Sequence, residues 1–164
     1  MSLDTSLAAL QRAVDFEKAG LDYYTKARDK AQHPTTKAIF QFLVEEEDKH
    51  MDYLSTLYEV LKAKNIWPEE LTISLDKDFK LIFVEESKKI DTNVKVSTDE
   101  IEALDFAIEM ENKGRAMYLE LAEKSSTPPE QKLFAELAAW EFGHASYCES
   151  FRDYYQDHGM YTEE

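Results

Sequence analysis

A set of acidic and histidine side chains occurs twice in this sequence with identical spacing. Each copy has a Glu thirty residues before a Glu-x-x-His motif, and the second copy lies ninety-four residues after the first. Residues three apart on a helix share one face, so the carboxylate and the imidazole of each motif can reach the same ion. Four carboxylates and two imidazoles are the ligands with which four-helix bundles hold two metal ions. The predicted metal ligands are Glu17, Glu47, His50, Glu111, Glu141 and His144.

Charge neutralisation is the physical reason to expect metal at these positions. Apolar residues flank all six, so their side chains are predicted to point into the core. Four buried carboxylates without a counter-charge are very costly, and like charges this close resist ionising together. Two divalent cations carry four positive charges and cancel them. Because hard oxygen donors and imidazoles suit iron or manganese, we predict two iron ions, with manganese as the alternative.

The repeat also selects between neighbouring acids. Glu46 stands one helical turn from His50, as a ligand would, but its counterpart in the second copy is Trp140. Glu47 has a counterpart that is also Glu, so Glu47 is the predicted ligand.

The roles of the four acids follow from their partners. Glu47 and Glu141, each paired with a His, are predicted to bridge the two ions, with Glu17 and Glu111 as terminal ligands. This arrangement leaves adjacent open positions, where dioxygen or peroxide can bind between two redox metals.

Two tyrosines stand two helical turns after the first Glu of each copy. Tyr24 and Tyr118 therefore lie on the same helix face as Glu17 and Glu111. We weigh a hydrogen bond from each tyrosine to a metal ligand against an ordinary core position. Among other residues of chemical interest, Cys148 is interpreted as a buried structural thiol.

Long helices must position these residues. Four Gly and four Pro in 164 residues indicate few breaks, and apolar residues recur at helical spacing. The predicted all-α domain covers 1–164 and contains a helix pair at 4–64, a crossover at 65–96 and a second helix pair at 97–158. A crossover of about thirty residues can run the height of a bundle, so that the third helix starts parallel to the second.

Local capping signals mark the helix starts. Predicted caps are Asp4 or Ser6 for the first helix, Thr35 or Thr36 for the second, a Ser97–Glu100 capping box for the third and a Thr127–Glu130 capping box for the fourth. The crossover is predicted to contain a short helix near 78–89. His33 and His158 are predicted to lie on the surface, and the tail from Gly159 to be loose or packed on a neighbouring subunit.

The two helix pairs look like a duplication. With residues 13–53 laid over 107–147, eleven of forty-one positions are identical, where roughly two or three are expected by chance. The copies are therefore predicted to be related by a pseudo-twofold axis that passes through the shared site.

Composition limits the classes of function. A formal net charge of −15 argues against nucleic acid and against a polybasic membrane contact. One cysteine excludes a disulfide within the chain and a Cys-x-x-Cys metal site. We see neither a signal peptide nor an apolar run long enough to span a membrane, so we expect a cytoplasmic protein.

At the duplicated ligand positions the chain resembles the ferritin-like di-iron carboxylate proteins, especially the rubrerythrin type. The resemblance covers both helix pairs and implies a ferritin-like four-helix bundle, a di-iron centre and a homodimer. It also implies that Tyr24 and Tyr118 contact the ligands from outside the metal shell. The chain lacks the rubredoxin-like Cys-x-x-Cys domain of full-length rubrerythrins. Rubrerythrins carry an additional carboxylate at the position that is Gly114 in this chain. The symmetry mate of Gly114 is Gly20.

The leading expectation is an oxidoreductase, a rubrerythrin-like peroxidase or oxidase of oxidative-stress defence. It would reduce hydrogen peroxide or dioxygen with electrons from a separate donor, such as a rubredoxin-like protein. Three alternatives remain at this stage: a ferroxidase that handles iron, an oxygenase of an organic substrate, and a metal-free helical scaffold.

Overall fold

The computed structural model describes residues 2–69 and 77–162, and its regular structure is helical. The predicted all-α bundle with one long crossover is confirmed. Residues 70–76 of the crossover lie outside the described part. Within that part, none of the helices is long and apolar enough to cross a membrane. The helices are α1 (Leu3–Lys30), α2 (Pro34–Lys64), α3 (Phe79–Ser87), α4 (Thr98–Lys124) and α5 (Pro128–Asp157).

Two antiparallel hairpins, α1–α2 and α4–α5, form the bundle. Contacts between the hairpins fix their relative direction: Arg12 pairs with Glu120 at 3.8 Å, and Tyr23 donates to the carbonyl of Ala103 at 3.0 Å. The contact that lies later in α1 lies earlier in α4, so these two helices are antiparallel. Since α2 reverses α1, α4 runs parallel to α2, as the length of the crossover predicts.

The apolar core is divided into a lower and an upper cluster. One part of each long helix contributes residues to the lower cluster and another part contributes residues to the upper cluster. The predicted metal ligands lie between these two parts. The site is therefore a polar layer enclosed by apolar packing at both ends. Representative fully buried residues are Leu10, Leu54, Leu133 and Phe134 in the lower cluster, and Phe40, Leu43, Leu104 and Phe151 in the upper cluster.

The helix starts agree only partly with the capping signals. Ser97 and Glu100 form the predicted capping box of α4, and Thr127 caps α5. The caps predicted for the first two helices are wrong, because Ser2 caps α1 and His33 caps α2. In each case the observed cap lies two to four residues before the predicted one.

His33 corrects a second expectation. Its side chain is buried, not on the surface, because its Nδ1 accepts a hydrogen bond from the backbone N–H of Thr35 and its ring packs against Tyr155. His158 is exposed, as expected.

The capping box predicted for α5 is incomplete. The Thr127 hydroxyl accepts from the backbone N–H of Glu130 at 3.4 Å. The Glu130 carboxylate does not return the bond; it is fully buried, and neither oxygen has a hydrogen-bond partner among the described residues.

The carboxyl-terminal tail packs on its own chain up to residue 162, which corrects the expectation of a loose tail. Gly159 ends α5 with a φ of +59°, a conformation that glycine adopts without strain. Met160 is then fully buried, and its carbonyl accepts from the N–H of Val96 at 2.8 Å. The N–H of Thr162 donates back to Val96 at 3.3 Å. This bridge ties the tail to the segment before α4.

Helix α3 lies against α5, on the side of the bundle formed by α2 and α5. The Phe79 ring contacts Phe42 of α2 and both Trp140 and His144 of α5, with ring centroids 5.5–6.1 Å apart. Further along, Phe83 packs edge-on against α5. The crossover therefore covers the α2–α5 face at the level of the site.

Glu100 joins three elements at one end of the bundle. One carboxylate oxygen accepts from the backbone N–H groups of Gln32 and His33 at 3.0 and 2.8 Å, and the other accepts from the N–H and the hydroxyl of Ser97. We expect Glu100→Ala to lower the free energy of unfolding by roughly 2–4 kcal/mol, because buried N–H donors lose a charged acceptor. Urea unfolding measures the change.

The matched control is Glu102→Ala, which removes an exposed carboxylate from the same helix. It should change stability by less than about 0.5 kcal/mol. Equal losses in the two variants would contradict the role assigned to Glu100.

Candidate metal centre

The six predicted ligands come from all four long helices and meet in the layer between the two apolar clusters. All are buried, with exposed fractions between 0% and 4%. Helices α1 and α4 contribute one Glu each, and α2 and α5 contribute one Glu-x-x-His motif each. The side chains are Glu17 of α1, Glu47 and His50 of α2, Glu111 of α4, and Glu141 and His144 of α5.

Two overlapping groups of potential ligands form within this layer. One contains Glu17 and His50 and the other contains Glu111 and His144, while Glu47 and Glu141 belong to both groups. In each group the potential ligand atoms all lie within 4.8 Å of one another. Buried groups at this spacing could hold metal ions, with two carboxylates shared between neighbouring positions.

The imidazoles aim the same nitrogen at the acids. His50 Nδ1 lies 3.5 Å from Glu17 Oε2 and 3.9 Å from Glu47 Oε2. His144 Nδ1 lies 3.3 Å from Glu47 Oε1 and 3.5 Å from Glu111 Oε2. The two rings are nearly parallel, with centroids 5.7 Å apart. Each imidazole thus lies near the first Glu of its own repeat, Glu17 or Glu111, whereas the other close contact of both imidazoles is with Glu47.

The donor atoms fit a metal ion. Buried polar atoms nearly always have a hydrogen-bond partner, but most of those in this layer have none among the described residues. Cations at the centre of each group would satisfy them. The unpartnered atoms that face the groups are Glu17 Oε2, Glu47 Oε2, His50 Nδ1, Glu111 Oε2, both carboxylate oxygens of Glu141, and Nδ1 of His144; Nε2 of His144 also has no partner among the described residues.

Comparison with known proteins supports this reading of the fold. The family model of the ferritin-like domain matches residues 5–153. The chain belongs to the ferritin-like domain family. Comparison with curated proteins and with solved structures found no match. The match includes all six positions, and their assignment as the ligands of this ferritin-like domain stays a prediction.

Electrostatics within the ferritin-like domain divide the four acids into two kinds. Burial, and then the charge of Glu17, raises the pKa of Glu47 well above its usual value; burial and the charge of Glu111 do the same for Glu141. Burial also acts on Glu17, but the adjacent Glu47 carboxyl and His50 imidazole outweigh it and lower its pKa to about 2. The pKa of Glu111 is lowered by the charge of His144 against the effect of burial. Each repeat therefore pairs one carboxyl whose pKa is raised with one whose pKa is lowered.

The two tyrosines of the ferritin-like domain cross between the repeats. Tyr24 of α1 donates a hydrogen bond to Glu111 Oε1 of α4, and Tyr118 of α4 donates to Glu17 Oε1 of α1. Burial, followed by the charge of the accepting carboxylate, raises the pKa of both tyrosines, so they remain donors. Sequence spacing alone places each tyrosine on the same face as the Glu of its own helix. Because α1 and α4 pack antiparallel, each tyrosine instead donates to the Glu of the opposite helix.

Glu46 lies outside both ligand groups, as the repeat predicts, but it is not a surface residue. Its exposed fraction is 1%, and it forms ion pairs with Lys77 of the crossover and with Lys49. Burial raises its pKa, but the hydrogen bond and charge of Lys77 outweigh this and lower it. Sequence reasoning missed Lys77 because it lies thirty-one positions away in irregular chain.

Gly114 and its symmetry mate Gly20 have different surroundings. A Cβ at Gly114 would lie 2.5 Å from the Phe16 ring and 2.8 Å from Glu141 Oε2, closer than real Cβ atoms approach other atoms. A Cβ at Gly20 would find its nearest neighbours, in Glu47 and Tyr24, at 3.7 Å, which is ordinary contact. A side chain at position 114 would require the Phe16 ring or Glu141 to shift, whereas a methyl group at position 20 would make only ordinary contacts.

Proposed function

We propose that this protein is a di-iron carboxylate oxidoreductase that reduces hydrogen peroxide or dioxygen with electrons from a separate donor protein. The observation that carries the proposal is the pair of overlapping ligand groups that share Glu47 and Glu141 in a buried layer. Two redox ions held there would supply together the two electrons that, with two protons, convert one hydrogen peroxide to two waters. Manganese would fit the same donors.

The surrounding residues fix the acids and exclude water. Tyr24 and Tyr118 hold one oxygen of Glu111 and Glu17, which leaves the second oxygen of each free for an ion. The apolar clusters close the layer from above and below, and Phe79 covers the α2–α5 face. Such a site can react with small oxidants while larger molecules are kept out.

An external donor is part of the proposal because the chain has one cysteine and it is buried. Cys148 cannot form a Cys-x-x-Cys electron-transfer site by itself. Re-reduction would therefore use a partner of the rubredoxin type, and we propose a homodimer as the working form.

Iron oxidation for storage or delivery is the second candidate, and Gly114 favours it. A side chain at position 114 would meet the Phe16 ring and Glu141 Oε2, so this position contributes no additional carboxylate to the six predicted ligands. The peroxidase mechanism of rubrerythrins uses that carboxylate when an iron shifts position. A six-ligand centre is closer to the ferroxidase site of bacterioferritins.

Rapid mixing of the anaerobically iron-loaded protein tests the proposal. We expect peroxide to oxidise the bound iron at least about tenfold faster than free ferrous ion in the same buffer, since a positioned pair reacts without encounter of separate ions. A reduced rubredoxin-type donor should then restore the ferrous state over repeated additions. Metal-free protein with the same donor is the control.

Two results would count against peroxide or oxygen reduction. Oxidation no faster than that of free iron would remove the redox proposal altogether. Fast oxidation followed by release of ferric iron, or by its accumulation beyond two ions per chain, would favour the ferroxidase candidate.

A further inference from the structure

A cavity of about 740 Å³ lies between the end of α1 and the start of α4 and is open to solvent on one side. Pockets for small organic molecules have volumes of about 300–1,000 Å³ and are lined mostly by apolar side chains with a few polar groups. The buried side chains of Ala27, Ala31 and Phe40 form the floor of this cavity. The rings of Tyr23 and Phe106 stand beside it with centroids 4.6 Å apart, and Phe106 is 48% exposed. The size and the lining therefore fit a small aromatic molecule.

The duplication shows that this end of the α1–α4 face lacks an ion pair that the other end has. At the other end, Arg12 of α1 pairs with Glu120 of α4 at 3.8 Å. The ninety-four-residue offset relates Arg12 to Phe106 and Glu120 to Lys26. Two positions that form an ion pair in one half therefore carry a lysine and a phenylalanine in the other half. Lys26 is left without a charged partner across the two helices, beside an exposed aromatic ring.

Charges of opposite sign line the two walls of the cavity. Lys26 and Lys30 stand one helical turn apart on α1, and Asp99 and Glu102 stand on α4. All four side chains are exposed, and none of them forms an ion pair with another described residue. Because the charges are not paired across the cavity, a molecule between the walls meets a basic wall on one side and an acidic wall on the other.

The cavity is separate from the candidate metal centre. None of the predicted ligands lines it. Tyr24 stands between the two, because its ring lies 5.5 Å from the Tyr23 ring and 6.1 Å from the Phe40 ring, and its hydroxyl donates to Glu111. A molecule in the cavity would contact the aromatic side chains that surround Tyr24 without touching a metal ion.

We infer that this cavity binds a small aromatic zwitterion, of the chemical class of a free aromatic amino acid. The ring packs against Phe106 and Tyr23, the carboxylate faces the lysines of the α1 wall, and the ammonium group faces the acids of the α4 wall. An aromatic molecule with only one of these charges would leave the opposite wall without a partner. Binding requires neither a metal ion nor redox activity, so the site is independent of the proposed function.

Calorimetric titration of the full chain with three related probes tests the binding of an aromatic zwitterion. The probes are L-tryptophan, indole-3-propionate, which lacks the ammonium group, and tryptamine, which lacks the carboxylate. We expect L-tryptophan to bind at least about threefold more tightly than either of the others, which is the effect of one exposed ion pair. Metal-free and iron-loaded protein should give the same result.

The exposed aromatic ring is tested by Phe106→Ala, which should weaken L-tryptophan at least about fivefold, because a ring-to-ring contact is lost. Phe142→Ala is the matched control. Phe142 is exposed to a similar extent, 52%, but it lies on α5 and does not line the cavity. It should leave the affinity unchanged.

The two charged walls are tested separately. Lys26→Gln should remove the advantage of L-tryptophan over tryptamine, because the carboxylate loses its partner. Glu102→Gln should remove the advantage of L-tryptophan over indole-3-propionate, because the ammonium group loses its partner. Lys18→Gln is the control, since Lys18 is an exposed lysine of α1 that does not line the cavity, and it should preserve both differences.

Three results would overturn the assignment of an aromatic zwitterion to this cavity. They are a wild type that binds none of the probes at millimolar concentration, equal affinity for all three probes, and a Phe106→Ala variant that binds L-tryptophan as the wild type does. Each of these results would leave the proposed function untouched, because the titration does not depend on bound iron. Failure of peroxide to oxidise the iron-loaded protein would in turn leave the cavity assignment standing.

Discussion

Glu47→Gln is expected to abolish tight binding of both metal ions, whereas Glu17→Gln should leave one ion bound. The two variants should lose different numbers of ions because Glu47 belongs to both ligand groups and Glu17 belongs to only one. An amide keeps the volume of the side chain but loses the charge that offsets a divalent ion. We expect affinity at each affected position to fall at least about a hundredfold, more than the loss typical when a group that merely supports a ligand is changed.

Metal content after anaerobic loading and desalting measures the effect. The expected values are two ions per chain for the wild type, one for Glu17→Gln and none for Glu47→Gln. Glu45→Gln is the control, since Glu45 is an exposed neighbour on the same helix and should not alter the content. If Glu17→Gln and Glu47→Gln lose the same number of ions, the shared role of Glu47 is wrong.

Without metal, the same substitution is expected to stabilise the fold. Glu47 is buried beside Glu17, and in the absence of a cation it must either remain protonated or place a second negative charge in a layer that is closed from solvent. A neutral amide removes this cost. We expect the metal-free Glu47→Gln variant to unfold with a free energy about 1–3 kcal/mol higher than the metal-free wild type at pH 7.

The pH dependence has a definite sign. Burial raises the pKa of Glu47, so protonation of Glu47 stabilises the folded state. This stabilisation is fully present below the ordinary carboxyl pKa of about 4.3 and is lost as pH rises through the raised pKa. The pKa of Glu17 is lowered, so its contribution is present above the ordinary value and is lost as pH falls towards about 2. The advantage of Glu47→Gln should therefore widen as pH rises from the ordinary carboxyl pKa towards the raised one, because the variant has no carboxyl to protonate on folding.

Urea unfolding in the presence of a chelator, at several pH values, measures this difference. Saturating ferrous iron should reverse the order, because only the wild type gains stability from bound metal. A metal-free variant that is less stable than the wild type at every pH would mean that Glu47 makes a favourable contact that the charge argument omits.

The sequence by itself determined the bundle and the six positions of the candidate centre. A gapless repeat of Glu and Glu-x-x-His on apolar helix faces leaves few arrangements, because residues on one face of each helix must meet where the faces pack. The same register rejected Glu46 in favour of Glu47. The spacing of apolar residues and ligands along a helix depends only on neighbouring residues in the chain, so the sequence is enough to predict it.

Tertiary structure alone decided the contacts that depend on which segments meet. The exchange of tyrosines between repeats follows from the antiparallel packing of α1 and α4. The burial of His33, the pairing of Lys77 with Glu46, and the packing of the Phe16 ring beside Gly114 depend on residues distant in the sequence or in irregular chain. A duplicated sequence predicts a symmetric site. The packing of single side chains, which differ between the copies, makes that site asymmetric.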